Sequence, residues 1–105
     1  MTSEVSGGIY LIVNFDWHSP FKAEYAEKAK RLHKITQGKN WIREEITASG
    51  GIGKGASSLW VFWLENYASL DRLFNQDDET GKAYSEFFQE MENVSDLARV
   101  QVTFS

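Results

Sequence analysis

The chain has 105 residues, a formal net charge of -4 and no cysteine. This length suits one domain with its own hydrophobic core, and the lack of cysteine excludes disulfides, thiolate metal sites and cysteine nucleophiles. The 11 basic residues are scattered among 15 acidic ones, so no nucleic-acid partner is expected. No stretch has the roughly 18 apolar residues of a membrane span or the pattern of a signal peptide, which predicts a soluble cytoplasmic protein.

Seven elements are predicted from apolar periodicity, turn residues and capping residues. In chain order they are a strand at 9–15, a helix at 20–36, strands at 41–48 and 58–64, helices at about 66–74 and 80–93, and a strand at 97–104. Residues 1–8 predict a frayed arm, which leaves one domain at residues 9–105. The glycine-rich stretch 49–56 precedes a strand rather than a helix, so we interpret it as a hairpin loop and not a nucleotide-binding loop.

The third strand is the centre of the predicted fold because both of its faces are apolar. One face carries Leu59, Val61 and Trp63, and the other carries Trp60, Phe62 and Leu64. The first strand is also apolar on both faces, whereas the second carries charges on both and the fourth alternates apolar with polar residues. The pattern predicts an α+β, ferredoxin-like β-α-β-β-α-α-β fold, with an antiparallel sheet in the order 4-1-3-2 and helices on one face.

The other face of such a sheet needs a cover that this chain does not supply. A second copy related by a twofold axis is the simplest cover, so we predict a homodimer. The alternative is a monomer with an aggregation-prone face.

The layout of residues 8–104 resembles the dimeric α/β-barrel superfamily, and within it the small antibiotic-biosynthesis-type monooxygenases. Their pattern around the end of the third strand is matched here by Trp63, Glu65 and Ala68, while Val61 replaces its glutamate and Arg72 its histidine. The resemblance implies a dimeric α/β barrel and cofactor-independent oxygenation, in which an asparagine or an aromatic polar group orients a substrate anion that itself activates oxygen.

The haem-degrading branch of that superfamily has a characteristic asparagine, tryptophan and histidine. Asn14 corresponds to the asparagine, but Arg72 and Lys82 occupy the other two positions. We therefore expect no haem and no other cofactor.

Aromatic residues make up 14% of the chain, more than a plain core requires. Several carry an O–H or N–H that needs a partner when buried, which is typical of a small-molecule pocket. The predicted ligand-binding residues, between sheet and helices, are Asn14, Tyr25, Trp60, Trp63, Tyr67, Phe74, Tyr84 and Phe88. The sequence leaves open which face of the third strand lines the pocket.

The remaining polar residues predict no metal site and name no catalytic residue. His18 and His33 lack metal-ligand spacing, and the position of His33 beside the buried helix stripe favours a structural imidazole over a catalytic base. Glu44 and Glu45 fall on opposite faces of a strand, which argues against a shared acid–base site.

Two functions remain open. The first is binding of an apolar, fatty-acid-like or polycyclic aromatic molecule, with or without cofactor-independent monooxygenase activity. The second is a non-catalytic dimerisation or regulatory module without a ligand pocket.

Overall fold

A computed structural model describes residues 7–104 of the chain. Its elements are β1 (Ile9–Asp16), α1 (Ala23–Ile35), β2 (Ile42–Ser49), β3 (Ser58–Leu64), α2 (Tyr67–Phe74), α3 (Glu79–Phe88) and β4 (Glu92–Val100). The strands form one antiparallel sheet in the order β2-β3-β1-β4. The predicted ferredoxin-like α+β arrangement is therefore confirmed, with β1 and β3 in the centre and β2 and β4 at the edges.

The helices pack on one side of the sheet, which we call the covered face. There β1 pairs Leu11 with Phe62 of β3 and Val13 with Trp60, and all four side chains are buried. The ring of Phe87 on α3 packs edge-on against Trp60, with centroids 5.4 Å apart. Burying one such ring removes about 150 to 250 Å² of surface from water and stabilises the fold by at most about 4 to 6 kcal/mol. Most of the core lies on this face.

The opposite side of the sheet, the open face, is formed by the alternate residues of the same strands. Its members include Tyr10, Ile12, Asn14, Arg43, Ile46, Leu59, Val61, Trp63, Leu97 and Arg99. Ile46 is 52% exposed and Val61 is 8% exposed. Within residues 7–104, the ring contacts between sheet and α3 all come from the covered face, through Phe15, Trp60 and Phe62.

Three predicted boundaries are wrong. The helix predicted at about 80–93 is α3, which ends at Phe88. The first helix begins at Ala23 instead of at Pro20, and the side chain of its N-cap residue, Lys22, makes no capping hydrogen bond to the described residues. The last strand is β4, Glu92–Val100, several residues earlier than predicted. The pairing with β1 sets the bounds of β4, because it runs from Asp16 opposite Glu92 to Ile9 opposite Val100.

The predicted N-terminal arm lies mostly outside the described residues. Of its members, Gly7 accepts a hydrogen bond from the Trp63 indole at 3.0 Å, and Gly8 accepts one from the backbone N–H of Gln101 at 3.0 Å. In the part of the chain described, no helix is both long and apolar enough to cross a bilayer.

Candidate functional site

A cleft of about 390 Å³ opens between α1, the end of β1 and the β2–β3 hairpin. This volume lies at the small end of the range for ligand pockets. The lining residues are Phe15, Trp17, Ala29, Lys30, His33, Glu44, Thr47, Ala48, Ser49, Leu59 and Trp60. The cleft therefore combines an aromatic wall with a few polar groups, which is the usual composition of a site for a small organic molecule.

Trp60 is the aromatic residue that β3 contributes to this cleft, and it is 4% exposed. Its ring stacks on Phe62 with centroids 5.4 Å apart and lies edge-on to Phe87 and Phe88. The ring is thus held from several sides. Its indole N–H is buried and has no hydrogen-bond partner among residues 7–104. Leaving such a donor unpaired costs about 1 to 3 kcal/mol.

A histidine and a carboxylate meet at the rim of the cleft. His33 on α1 places Nδ1 at 2.8 Å from Oε1 of Glu44 on β2. An ionised carboxylate only accepts hydrogen bonds, so Nδ1 donates. In the neutral imidazole Nε2 is then the acceptor, which makes it a group able to take a proton from a bound molecule.

A bulge in β2 explains why Glu44 faces the cleft. Glu44 pairs with Phe62 on the covered face, whereas Ile46 pairs with Val61 on the open face, and Glu45 between them is the extra residue. Glu45 forms an ion pair with Arg43. The prediction that Glu44 and Glu45 share no acid–base site agrees with this geometry, since Glu44 turns to His33 and Glu45 to Arg43.

Hydrogen bonds around the end of β1 hold the hairpin near the cleft. Oδ1 of Asp16 accepts from the backbone N–H of Ser57 at 2.8 Å, and Oδ2 accepts from Nδ2 of Asn93 at 2.9 Å. These hydrogen bonds, with that of the Ser57 N–H first among them, lower the pKa of Asp16. Ser49 and Ser58 join the two hairpin strands through their hydroxyls at 2.8 Å. The cleft wall is therefore fixed where the hairpin leaves the sheet.

The structure separates the predicted ligand-binding residues into four groups. Trp60 lines the cleft beside α1, while Phe74, Tyr84 and Phe88 line a second cavity between α2, α3 and β4. Asn14 and Trp63 lie on the open face, across the sheet from the cleft. The other two line neither cavity, since Tyr25 is buried in the core beside His18 and Tyr67 is 60% exposed.

Sequence reasoning missed the polar half of the cleft. Glu44 faces the cleft because it pairs with Phe62, but the bulge that sets this pairing is not apparent from the alternation of apolar and polar residues. His33 was interpreted as structural because it borders the buried stripe of α1, and the same position brings it to the cleft rim. Among the described residues, no cluster of three or more potential metal ligands is present.

Comparison with known proteins supports the fold. No family model matches the chain, and no curated protein matches its sequence. Among solved structures it is similar to PA3566 from Pseudomonas aeruginosa, with a TM-score of 0.70 at 12% sequence identity, over 96% of this chain and 100% of that chain. At this identity the likeness shows a shared small α/β fold and nothing of function.

Proposed function

We propose that the chain binds an apolar small organic molecule that carries a hydrogen-bond acceptor, in the cleft between α1 and the sheet. The observation that carries this proposal is the buried, unpartnered indole N–H of Trp60 beside a largely apolar cleft of about 390 Å³. A fatty-acid carboxylate or the oxygen of a polycyclic phenol would accept that hydrogen bond. The apolar body of either molecule would pack on Phe15, Trp17 and Ala29.

We extend the proposal to catalysis because His33 and Glu44 lie at the rim of the cleft. Oxygenation without a cofactor needs a substrate whose deprotonated form supplies the electrons, so that a CH₂ group and O₂ give a carbonyl and water. In this proposal Nε2 of His33 takes the substrate proton, and the hydrogen bond to Glu44 orients the ring. The Trp60 N–H would then stabilise the substrate oxyanion. Asn14, on the other side of the sheet, has no part in this arrangement.

Binding is tested with a pair of tryptophans on the same strand. Thermal shifts with fatty acids and polycyclic phenols identify a ligand class, together with mass spectrometry of molecules that co-purify. Trp60→Phe keeps an aromatic ring but removes the N–H, so affinity should fall about tenfold, equivalent to about 1.4 kcal/mol. Trp63→Phe, the matched control on the open face, should leave affinity unchanged. Equal effects of the two substitutions, or no ligand from either class, would overturn the proposal.

We further propose that a second copy of the chain covers the open face and completes a dimeric α/β barrel. The centre of that face is apolar, at Ile12, Leu59 and Val61, and a sheet with two apolar faces needs layers on both sides. A twofold contact between identical sheets is the simplest cover. Sedimentation should show a dimer that Val61→Arg converts to a monomer, while Asn40→Arg, at an exposed position, stays dimeric. A wild-type monomer at high protein concentration would contradict this.

The open face also favours the second candidate function, a dimerisation or regulatory module that binds no ligand. The two candidate functions predict different results in these experiments. A module of that kind would dissociate on Val61→Arg, bind neither class of ligand and be indifferent to Trp60→Phe.

A further inference from the structure

A second cavity, of about 250 Å³, lies between α2, α3 and β4, away from the cleft. Phe74, Tyr84 and Phe88 form its aromatic wall. The Tyr84 and Phe88 centroids are 4.7 Å apart with a tilt of 52°, and the Phe74 and Tyr84 centroids are 5.8 Å apart with a tilt of 45°. At these spacings the three rings pack on one another and form one continuous aromatic surface.

Among residues 7–104, Asp96 is the only charged residue that lines this cavity. It pairs across the sheet with Val13, whose side chain is fully buried beneath the helices, so Asp96 lies on the covered face of β4. Within residues 7–104 its carboxylate forms no ion pair. The other polar members are neutral amides and a hydroxyl, Gln76, Gln89 and Ser85. The cavity is therefore negative and aromatic.

The Tyr84 hydroxyl adds a buried polar group at the same place. Tyr84 is 7% exposed, and its hydroxyl has no hydrogen-bond partner among the residues described. Burial first, and then the Asp96 carboxylate, raise the pKa of this phenol. The ring thus stays neutral, and the Asp96 charge is not offset by any lining residue.

We propose that this cavity binds a small organic cation, an alkyl or quaternary ammonium group held against the aromatic wall beside the Asp96 carboxylate. A cation within about 6 Å of an aromatic centroid is attracted by the ring quadrupole, by about 0.5 to 2 kcal/mol. An anion would be repelled by Asp96, and a neutral molecule would gain no charge–charge attraction from it. The site shares no lining residue with the cleft, so the proposal is independent of the function proposed there.

The test compares two probes of the same shape in the full chain. Choline and its neutral isostere 3,3-dimethyl-1-butanol are titrated at constant ionic strength, and binding is followed by amide chemical shifts in NMR spectra. Choline should shift the amides of Tyr84, Phe88 and Asp96 with a dissociation constant at least about fivefold below that of the isostere. Equal affinities, no binding of choline, or shifts confined to the α1–β2 cleft would overturn the proposal.

Two substitutions and a control locate the site. Asp96→Asn, at an exposed position, should weaken choline binding at least threefold and leave the isostere unaffected. Asp71→Asn, an exposed carboxylate on α2 outside the cavity, should change neither. Phe74→Leu keeps an apolar wall without the π face and should also weaken choline. If Phe74→Leu disturbs folding, the Asp96 and Asp71 pair decides, since identical affinities in those two variants would refute the site.

Discussion

The two tryptophans of β3 show how differently the two faces of one strand use the same side chain. Trp60, on the covered face, is 4% exposed, packs against other rings and leaves its indole N–H unpaired beside a cleft. Trp63, on the open face, donates its N–H to Gly7 and to Gln101, each at 3.0 Å, and Arg43 lies 4.5 Å above its ring. An indole whose N–H is hydrogen-bonded and whose ring lies under an arginine is expected at the rim of a sheet face. An unsatisfied one beside a cavity suits a binding site.

The largest effect is expected from truncating a core ring on the covered face. Phe62 is fully buried, so Phe62→Ala should lower the free energy of unfolding by about 3 to 5 kcal/mol through lost burial and the cavity left behind. Chemical denaturation at several protein concentrations measures this, and the loss should be the same at each of them.

The neighbour Val61, on the open face, is the matched control. Val61→Ala removes less apolar surface and should cost less than Phe62→Ala. If a second copy covers this face, the effect of Val61→Ala will also depend on protein concentration, because association stabilises the folded state by mass action. A larger loss for Val61→Ala than for Phe62→Ala would reverse the assignment of the two faces.

An intermediate effect is expected at Gly8, where the chain passes closely over Trp63. A Cβ at Gly8 would lie 2.3 Å from the Trp63 indole nitrogen and 2.8 Å from the backbone oxygen of Leu64, at a φ of +81°. Gly38 has a similar φ of +76° with nothing within 4 Å of a Cβ. Gly38→Ala should therefore cost about 1 to 2 kcal/mol for its backbone conformation alone. Gly8→Ala should cost about 1 to 3 kcal/mol more through overpacking.

Thermal or chemical unfolding of these two variants measures the rigidity of the Trp63 contact. Equal losses for Gly8→Ala and Gly38→Ala would mean that the indole moves aside freely. The contact between Gly8 and Trp63 would then not be a rigid part of the open face.

The smallest effect is expected at Asp16 and appears only in acid. Hydrogen bonds from Ser57 and Asn93 lower its folded pKa, so the stabilisation is present above the unfolded pKa, about 3.9, and is lost as pH falls through the folded value. Asp16→Asn should flatten this acid limb of the stability curve while the slope above about pH 5 stays unchanged. Parallel curves for the variant and the wild type at pH 2 to 5 would contradict the assignment.

The strand order could be predicted because burial acts directly on residue pattern. Strands apolar at both parities, such as β3, belong in the centre of a sheet, and that inference needs no knowledge of distant contacts. The ligand site could be predicted only in part. Trp60 and Phe88 were assigned to one pocket, but which cavity a ring lines depends on how α1 and α3 cross the sheet, which no local pattern encodes. Asp96 is absent from the predicted site because the sequence places the last strand at 97–104, whereas β4 begins at Glu92.

The bulge in β2 has a consequence for how this chain tolerates changes in length. Glu44 and Ile46 are separated by one residue yet face opposite sides, so deleting Glu45 would leave Glu44 opposite Phe62 and Ile46 opposite Val61. Deleting Thr47 instead would turn the residues beyond it to the wrong sides of the sheet. Position 45 is thus the place in β2 where the strand can shorten by one residue and keep both its cleft residue and its open-face residue in place.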